Sequence, residues 1–189
     1  MNKIAQYLAQ ISPLSEHALS LMGSVFVPSE LKKGEFFVGL GEYANEIAFL
    51  ESGVVRAFYT SVDGKEYNKT FFTAPAIIGS YVSLISKEKN RLPQQALSDC
   101  VIWRADYAVI DRLSENNYEL ERLRRRIAEL FFVGTEKRQL EIALLEAKEL
   151  YEIFREEHPG FEDIIPQYHI ASYLGISPTQ LSRIRKNLK

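Results

Sequence analysis

The sequence is poor in the residues that build metal centres and covalent cross-links. Among its 189 residues there is one cysteine, Cys100, and there are three histidines. One thiol cannot close an internal disulfide or hold an iron–sulfur cluster, so we expect Cys100 to be a small buried apolar residue. His17, His158 and His169 lie far apart without metal-ligand spacing, so neither a haem nor a metal site is predicted.

Long apolar runs are also absent. No stretch approaches the ~18 to 20 apolar residues of a membrane span, and the opening MNKIAQYLAQ has no charged head followed by an apolar signal core. We therefore expect a cytoplasmic protein with no membrane partner. The chain also lacks a glycine-flanked serine elbow, a phosphate-cradling loop and any histidine between residues 25 and 103, so enzymatic activity is not predicted.

The charge of the chain is nearly balanced, but its distribution is uneven. The formal net charge is −2, which excludes a general affinity for polyanions. From Asp163 onward there are four basic residues and one acid, and the basic residues all fall in the last seven positions: Arg183, Arg185, Lys186 and Lys189. This pattern indicates one DNA-facing element at the C-terminus of an acidic body.

The N-terminal half changes texture from helical to β. Residues 3–22 have helical periodicity that is interrupted at Ser12-Pro13, which predicts two short helices. From residue 25 to about 103, short apolar or alternating runs are separated by glycines, which predicts an all-β region. Three pairs place glycine where a tight turn needs positive φ: Lys33-Gly34, Ser52-Gly53 and Asp63-Gly64. The spacing of these strands predicts a barrel, jelly roll or sandwich within an α+β fold.

A long helix is predicted after Asp106, with Asn117 or Ser114 as its cap. It carries a 3-4-3-4 series of apolar or small residues: Leu120, Leu123, Ile127, Leu130 and Gly134. Such a series forms the seam between two packed helices, or packs a single helix on its own barrel. Periodicity alone leaves both interpretations open.

A further helix is predicted from about Leu144 to Glu157. It stops at His158-Pro159-Gly160, because proline restricts the residue before it and glycine frees the turn. We expect this tripeptide to be a hinge and a domain boundary.

The last segment, IIPQYHIASYLGISPTQLSRIRKNLK, has the residue pattern of a helix-turn-helix. Ile170, Ala171 and Leu174 give the first helix a buried face, and Gly175 supplies the turn. The second helix starts with SPTQ, in which the serine suits the N-cap, the proline the first helical position and the glutamine a reciprocal capping box.

This second helix is predicted to be a recognition helix. Thr179, Gln180 and Arg183 are the candidate base contacts, because arginine can bridge guanine O6 and N7 and glutamine can pair with adenine in the major groove. Four others are expected to contact phosphates: Ser177, Ser182, Arg185 and Lys186.

Taken together, these features resemble the Crp/Fnr family of bacterial transcription regulators. LKKGEFFVGLGEYANEIAFLESGVVRAFYT resembles the family's cyclic-nucleotide-binding β-roll, with Gly34, Gly41 and Gly53 at its turns. ASYLGISPTQLSRIRK resembles its helix-turn-helix. The resemblance implies an N-terminal double-stranded β-helix (β-roll or jelly roll) with flanking helices over residues 1–116, a long dimerisation helix over 117–141 and a DNA-binding domain over 142–189.

The resemblance also implies partners and an effector pocket. The partners are double-stranded DNA, a second copy of the chain and RNA polymerase. Nucleotide-binding members hold the ribose with a Gly-Glu pair and the cyclic phosphate with an arginine; here the matching positions are Gly79, Ser80, Asn90 and Arg91. Ser80 replaces the glutamate. Aligned without gaps, Asn90 replaces the arginine, whereas a one-residue shift would bring Arg91 into that position. Tight cyclic AMP binding is therefore not expected. No cofactor is predicted, and a different small effector remains an open alternative.

Family members usually place a β-hairpin wing around the helix-turn-helix, whereas this sequence ends at Lys189, so no downstream wing contact is expected. The alternative function is a small-ligand sensing module whose terminal helices dock a protein. A protein-docking face would carry exposed apolar residues where this helix carries Arg183, Arg185 and Lys186.

Overall fold

A computed structural model describes residues 3–188, and Met1, Asn2 and the predicted basic residue Lys189 lie outside this range. Within it the chain forms nine α-helices and eight β-strands. The predicted α+β class and the order of N-terminal helices, β-roll, long helix and C-terminal helix-turn-helix are confirmed.

Two short helices precede the β-roll. α1 spans Lys3–Ile11 and α2 spans Glu16–Val25, and the break between them falls at the predicted Ser12-Pro13. The Ser15 hydroxyl caps α2 by accepting a hydrogen bond from the Ala18 amide at 3.2 Å, which satisfies one of the free amides at the helix start.

The β-roll consists of two four-stranded antiparallel sheets, with strand orders β1-β8-β3-β6 and β2-β7-β4-β5. The strands are β1 Val27–Leu31, β2 Phe36–Val38, β3 Glu46–Ser52, β4 Val54–Thr60, β5 Glu66–Thr73, β6 Ala76–Ile78, β7 Gln94–Ala96 and β8 Cys100–Asp106. Strand residues from both sheets, such as Leu50, Val55 and Ile102, form a buried cluster that includes Cys100, as predicted. Burial raises the pKa of the Cys100 thiol.

Glycine turns connect consecutive strands where the sequence predicts them. Gly34, Gly53 and Gly64 have φ angles of 92°, 97° and 81°. Gly53 is the most constrained, because a Cβ atom there would lie 2.6 Å from the Asp99 carbonyl oxygen. A side chain at this position is therefore excluded by space as well as by backbone conformation.

The expectation of an all-β region from residue 25 to 103 is wrong at one point. A six-residue helix, α3 (Tyr81–Ser86), follows β6 and ends at Lys87 in the left-handed conformation. Six residues are too few to establish helical periodicity against a background of short apolar runs.

Two helices follow the β-roll. α4 spans Tyr107–Glu115 and α5 spans Tyr118–Leu144, three residues beyond the expected end of the long-helix segment at 141. The Asn117 side chain caps α5 by accepting hydrogen bonds from the amides of Glu119 and Leu120 at 3.1 and 3.2 Å.

Four helices complete the chain: α6 Ala147–Glu157, α7 Phe161–Ile164, α8 Gln167–Leu174 and α9 Pro178–Asn187. The prediction of a domain boundary at residues 158–160 is wrong. Leu150 and Phe154, before the turn, share one buried cluster with Phe161, Ile170 and Leu181 after it. The proline–glycine turn therefore reverses the chain within one packed unit.

This C-terminal unit is docked on the β-roll. Its buried cluster also contains Val54, Phe71 and Leu97 from the roll. The Phe71 ring lies 6.2 Å from the ring of Phe154 and 5.2 Å from that of Tyr173, centroid to centroid. Apolar contacts of this kind hold the helix-turn-helix against strand β5. In the described range, no helix has both the length and the apolar character needed to cross a bilayer.

Candidate nucleic-acid interface and effector pocket

α8 and α9 have the geometry of a helix-turn-helix. Gly175 ends α8 in the left-handed conformation, with φ of 72°. A reciprocal capping box starts α9: the Ser177 hydroxyl accepts from the Gln180 amide at 3.2 Å, and the Gln180 side chain accepts from the Ser177 amide at 2.9 Å. Leu181 is fully buried between the helices, while Ile184 is partly buried beside it. These contacts fix the position of α9 on α8.

The predicted DNA contacts lie at the start and on the outer side of α9. Six of the seven are exposed: Ser177, Thr179, Gln180, Ser182, Arg183 and Lys186. Among the described residues, neither Arg183 nor Lys186 has an ion-pair partner. The Gln180 side-chain oxygen is occupied by the capping box, so its amide nitrogen is the group free to face a base.

Arg185 is the exception among these residues. Its Nε lies 3.1 Å from a Glu162 carboxylate oxygen, and its side chain is 27% exposed. Glu162 also accepts a hydrogen bond from the Tyr151 hydroxyl. Together with burial, this interaction raises the pKa of Tyr151 to about 12. A phosphate contact by Arg185 would therefore have to compete with an intramolecular carboxylate.

The candidate effector pocket is closed by its own side chains. The Ser80 hydroxyl donates to the Asn90 Oδ1 at 2.8 Å, and the Asn90 Nδ2 donates to the Gly39 carbonyl at 2.8 Å. The Leu92 amide also donates to Asn90 Oδ1. Asn90 is only 2% exposed. Both polar atoms of this side chain are thus used in binding two loops to each other.

The neighbouring residues do not replace the missing anchors. Arg91 is exposed, whereas Gln94 is buried and donates from Nε2 to the Gly79 carbonyl at 2.9 Å. The Ser80 and Asn90 pair therefore offers neither a carboxylate for a ribose nor a cation for a phosphate. Within residues 3–188, no group of three or more histidine, cysteine or acidic side chains is arranged to hold a metal ion.

An apolar cavity of about 50 Å³ lies behind this pocket, between α5 and the β-roll. Its lining includes Ile47, Ile77, Tyr107, Leu123 and Ile127. A cavity that admits benzene is about three times larger, so a nucleotide does not fit here.

The predicted dimer seam divides between two environments. Leu120 and Leu123 are 0% and 1% exposed and pack in the chain's own core, with Ile127 partly buried beside them. Their assignment to a dimer interface is corrected, because side chains buried within one copy cannot contact a second. Leu130 and Gly134 are exposed and remain available.

The second half of α5 presents a different apolar face. Four exposed residues define this α5 seam: Leu130, Val133, Leu140 and Leu144. At about 100° per residue they fall within a sector of about 80°. Lys137 falls within the same sector, and its ammonium lies 2.6 Å from Glu157 on α6 and 3.5 Å from Glu141. An open groove of about 470 Å³ follows this part of the helix.

A buried polar network, which the sequence did not reveal, joins the β-roll to α8. At its centre is Arg56 on β4, which is 5% exposed. Its guanidinium donates to Gln95 on β7 at 2.6 Å, pairs with Glu66 at 2.6 Å and donates to Asn68 at 3.3 Å. The same guanidinium lies 3.3 Å from Nδ1 of His169 on α8. The one visible signal was an arginine within the apolar run VVRAFY.

His169 is held neutral by this environment. Burial, followed by the charge of Arg56, lowers the pKa of His169 to about 4. Its Nδ1 faces two donors, Arg56 Nη1 and Asn68 Nδ2, the latter at 3.2 Å. Nδ1 must therefore act as the acceptor, with the ring proton on Nε2.

The shift predicts a pH-dependent stability. Since the folded pKa lies below the ordinary value of 6.5, the unfolded chain binds the proton more readily. The contribution of neutral His169 to the free energy of unfolding is complete above about pH 6.5, and it is lost as the pH falls towards 4. We expect the melting temperature of the wild type to fall more between pH 7 and about pH 4.5 than that of His169→Asn, whose amide oxygen replaces Nδ1 without titrating. Parallel curves for the two proteins would contradict the burial of a neutral His169.

Comparisons with known proteins agree with this architecture. Residues 28–117 match the family described as "Cyclic nucleotide-binding domain". No curated protein matches the chain in sequence. FixK2 from Bradyrhizobium japonicum is 19% identical with a TM-score of 0.74, over 87% of this chain and 84% of FixK2.

Two other solved structures extend the comparison. The c-di-GMP-responsive global regulator CLP from Xanthomonas campestris is 13% identical with a TM-score of 0.72, over 92% of this chain and 91% of CLP. The catabolite activator protein from Thermus thermophilus is 21% identical with a TM-score of 0.57, over 96% of this chain and 85% of that protein. At these identities, the likeness establishes the fold.

The β-roll thus matches the cyclic nucleotide-binding domain family over residues 28–117. The chain as a whole has the fold of Crp/Fnr-type transcription regulators, and the predicted resemblance is confirmed.

Proposed function

We propose that the chain is a sequence-specific DNA-binding transcription regulator that acts as a dimer and does not bind cyclic AMP tightly. The observation that carries the proposal is the exposed face of α9, with Thr179, Arg183 and Lys186 directed away from a fully packed helix-turn-helix. The docking of this unit on the β-roll leaves that face uncovered.

Base recognition is assigned to the first turns of α9. Thr179 and Arg183 are four residues apart and lie on the same side of the helix, where both can reach base edges in a major groove. Ser177, Ser182 and Lys186 flank them and suit phosphate oxygens. Arg185 contributes only if Glu162 releases it, so we give it a secondary role.

Dimerisation is assigned to the α5 seam. Leu130, Val133, Leu140 and Leu144 expose more than half of their surfaces in the single chain. A second copy packed along this seam would remove them from water and would present two recognition helices to half-sites about one DNA turn apart.

The proposal is tested by selecting duplexes from a randomised pool with the full-length chain and measuring binding by fluorescence anisotropy. We expect a near-palindromic site, and we expect affinity to fall with salt because Lys186 of each copy releases counterions. Adding cyclic AMP should leave the curve unchanged, because the pocket lacks the carboxylate and cation that would hold it. Failure to enrich any sequence, or binding that requires cyclic AMP, would contradict the proposal.

Two substitutions on α9 separate base contacts from phosphate contacts. Arg183→Ala should weaken binding to the selected site by ~1 to 3 kcal/mol and relax the preference at one base pair of each half-site. Lys186→Ala is the matched control: it should weaken all sequences alike and reduce the salt slope by about one for each copy. Both effects are measured on the selected duplex and on single-base variants of it. A base preference that survives Arg183→Ala would remove Arg183 from base recognition.

A further inference from the structure

Several buried polar contacts hold the helix-turn-helix against the β-roll. Besides the apolar cluster, α8 is tied to the β-roll through His169 and Ser172. The Asn68 Nδ2 donates to the His169 carbonyl at 2.9 Å, and the Asn68 amide donates to the Ser172 hydroxyl at 3.0 Å. The Ser172 hydroxyl donates in turn to the Glu66 carbonyl at 3.2 Å. Both the backbone and the side chains of β5 therefore hold α8.

These bonds are directional, which distinguishes them from the apolar contacts beside them. Apolar contacts depend little on direction, whereas a buried donor that loses its acceptor is left without a hydrogen bond and without water. Arg56 is the most constrained member, because its guanidinium contacts four polar side chains and lies over the Phe58 ring, 3.8 Å from the centroid. A rotation of α8 would break several of these bonds together.

We propose that Arg56 and His169 are positioning residues for DNA binding: they fix the angle at which each copy presents its recognition helix, and so set the half-site spacing that the dimer accepts. This inference rests on the proposed function. Neither residue lies on α9, and Arg56 and His169 are only 5% and 6% exposed, so neither is placed to touch DNA.

The orientation they fix is compatible with DNA binding rather than inhibitory. In the docked arrangement Thr179, Arg183 and Lys186 are exposed, so the roll does not mask the recognition face. A fixed orientation lets the second helix bind its half-site with a high effective concentration once the first has bound. Losing the network should therefore weaken the two-site complex and leave binding to one half-site unchanged.

The network also reaches the effector pocket through a strand of three residues. On β7, Gln95 accepts from Arg56 while the adjacent Gln94 donates to the Gly79 carbonyl. Adjacent residues of a strand point to opposite faces, so β7 has one face on the pocket and the other on the network. A displacement of β7 at the pocket would therefore move Gln95 and change its hydrogen bond with Arg56.

The test uses duplexes selected by the wild-type chain, rebuilt with the half-sites moved apart or together by one and two base pairs, and a duplex with one half-site. Arg56→Met removes the network's guanidinium on the β-roll side, and His169→Leu removes its acceptor on α8. Either substitution alone tests the inference. His169→Asn is the conservative control, because it keeps an acceptor at the Nδ1 position. For each protein the dissociation constant is measured on every duplex.

We expect Arg56→Met and His169→Leu to bind the correctly spaced duplex about tenfold more weakly and to lose most of the discrimination between spacings. Their affinity for the single half-site should match the wild type, which also shows that the helix-turn-helix is folded. His169→Asn should retain the spacing preference. A wild-type spacing profile in either altered protein, or equal losses on the single and double sites, would overturn the inference. If the wild type enriches no duplex, it is the proposed function that fails.

Discussion

Leu140→Glu is expected to dissociate the proposed dimer, raising its dissociation constant at least about a hundredfold and weakening binding to a two-half-site duplex to a similar extent. Leu140 is one of the four residues of the α5 seam and is 58% exposed in the single chain. In a two-stranded seam the substitution brings two carboxylates together in an apolar contact, where charges lose their hydration without gaining a partner. Sedimentation equilibrium measures the dimer, and anisotropy measures the DNA complex.

Ile142→Glu is the matched control for this substitution. Ile142 is 59% exposed on the same helix, but its position is about 200° around the axis from Leu140. We expect its dimer and DNA affinities to stay within about threefold of the wild type, since surface substitutions away from an interface usually have effects within about 0.5 kcal/mol. Equal effects of the two substitutions would show that the seam has been placed on the wrong face.

Phe154→Ala is expected to lower the free energy of unfolding by about 3 to 5 kcal/mol. Phe154 is 1% exposed and its ring contacts Phe71 of the β-roll, Phe161 of α7 and Tyr173 of α8. Truncation leaves a cavity at the point where the C-terminal unit meets the roll. Urea unfolding followed by circular dichroism measures the change.

The control for this truncation is Tyr43→Ala, an aromatic residue that is 58% exposed in the loop after β2. Its loss should change the free energy of unfolding by less than about 0.5 kcal/mol. A destabilisation by Phe154→Ala below about 1.5 kcal/mol would mean that the two units are not joined by this cluster. Such a result would also weaken the case for a fixed helix-turn-helix.

The parts of the fold that the sequence predicted are those encoded by local signals. The start of α9 follows from Ser177, Pro178 and Gln180, which act within one helical turn, and the turns between strands follow from glycines that adopt positive φ. β6 and β7 have three residues each, so they were too short to be predicted individually. Their positions depend on pairing with β3 and β4, which is not a local property.

The sequence predicted which side chains make contacts better than it predicted what they contact. Periodicity along α5 correctly marked Leu120 and Leu123 as apolar contacts, but it does not say whether the contact lies within one chain or between two. The pair Arg56 and His169 is separated by 113 positions, so no local pattern links them. An arginine in an apolar strand signals a buried partner, and only the tertiary structure identifies which one.

The central claim is that α9 recognises a DNA major groove in a dimer built on α5. The most direct measurement is a hydroxyl-radical footprint of the wild-type chain on its selected duplex, repeated with Arg183→Ala. We predict two protected segments centred about one helical turn apart, each weakened by the substitution. A single protected segment, protection without positional pattern, or a footprint that Arg183→Ala leaves intact would contradict the claim.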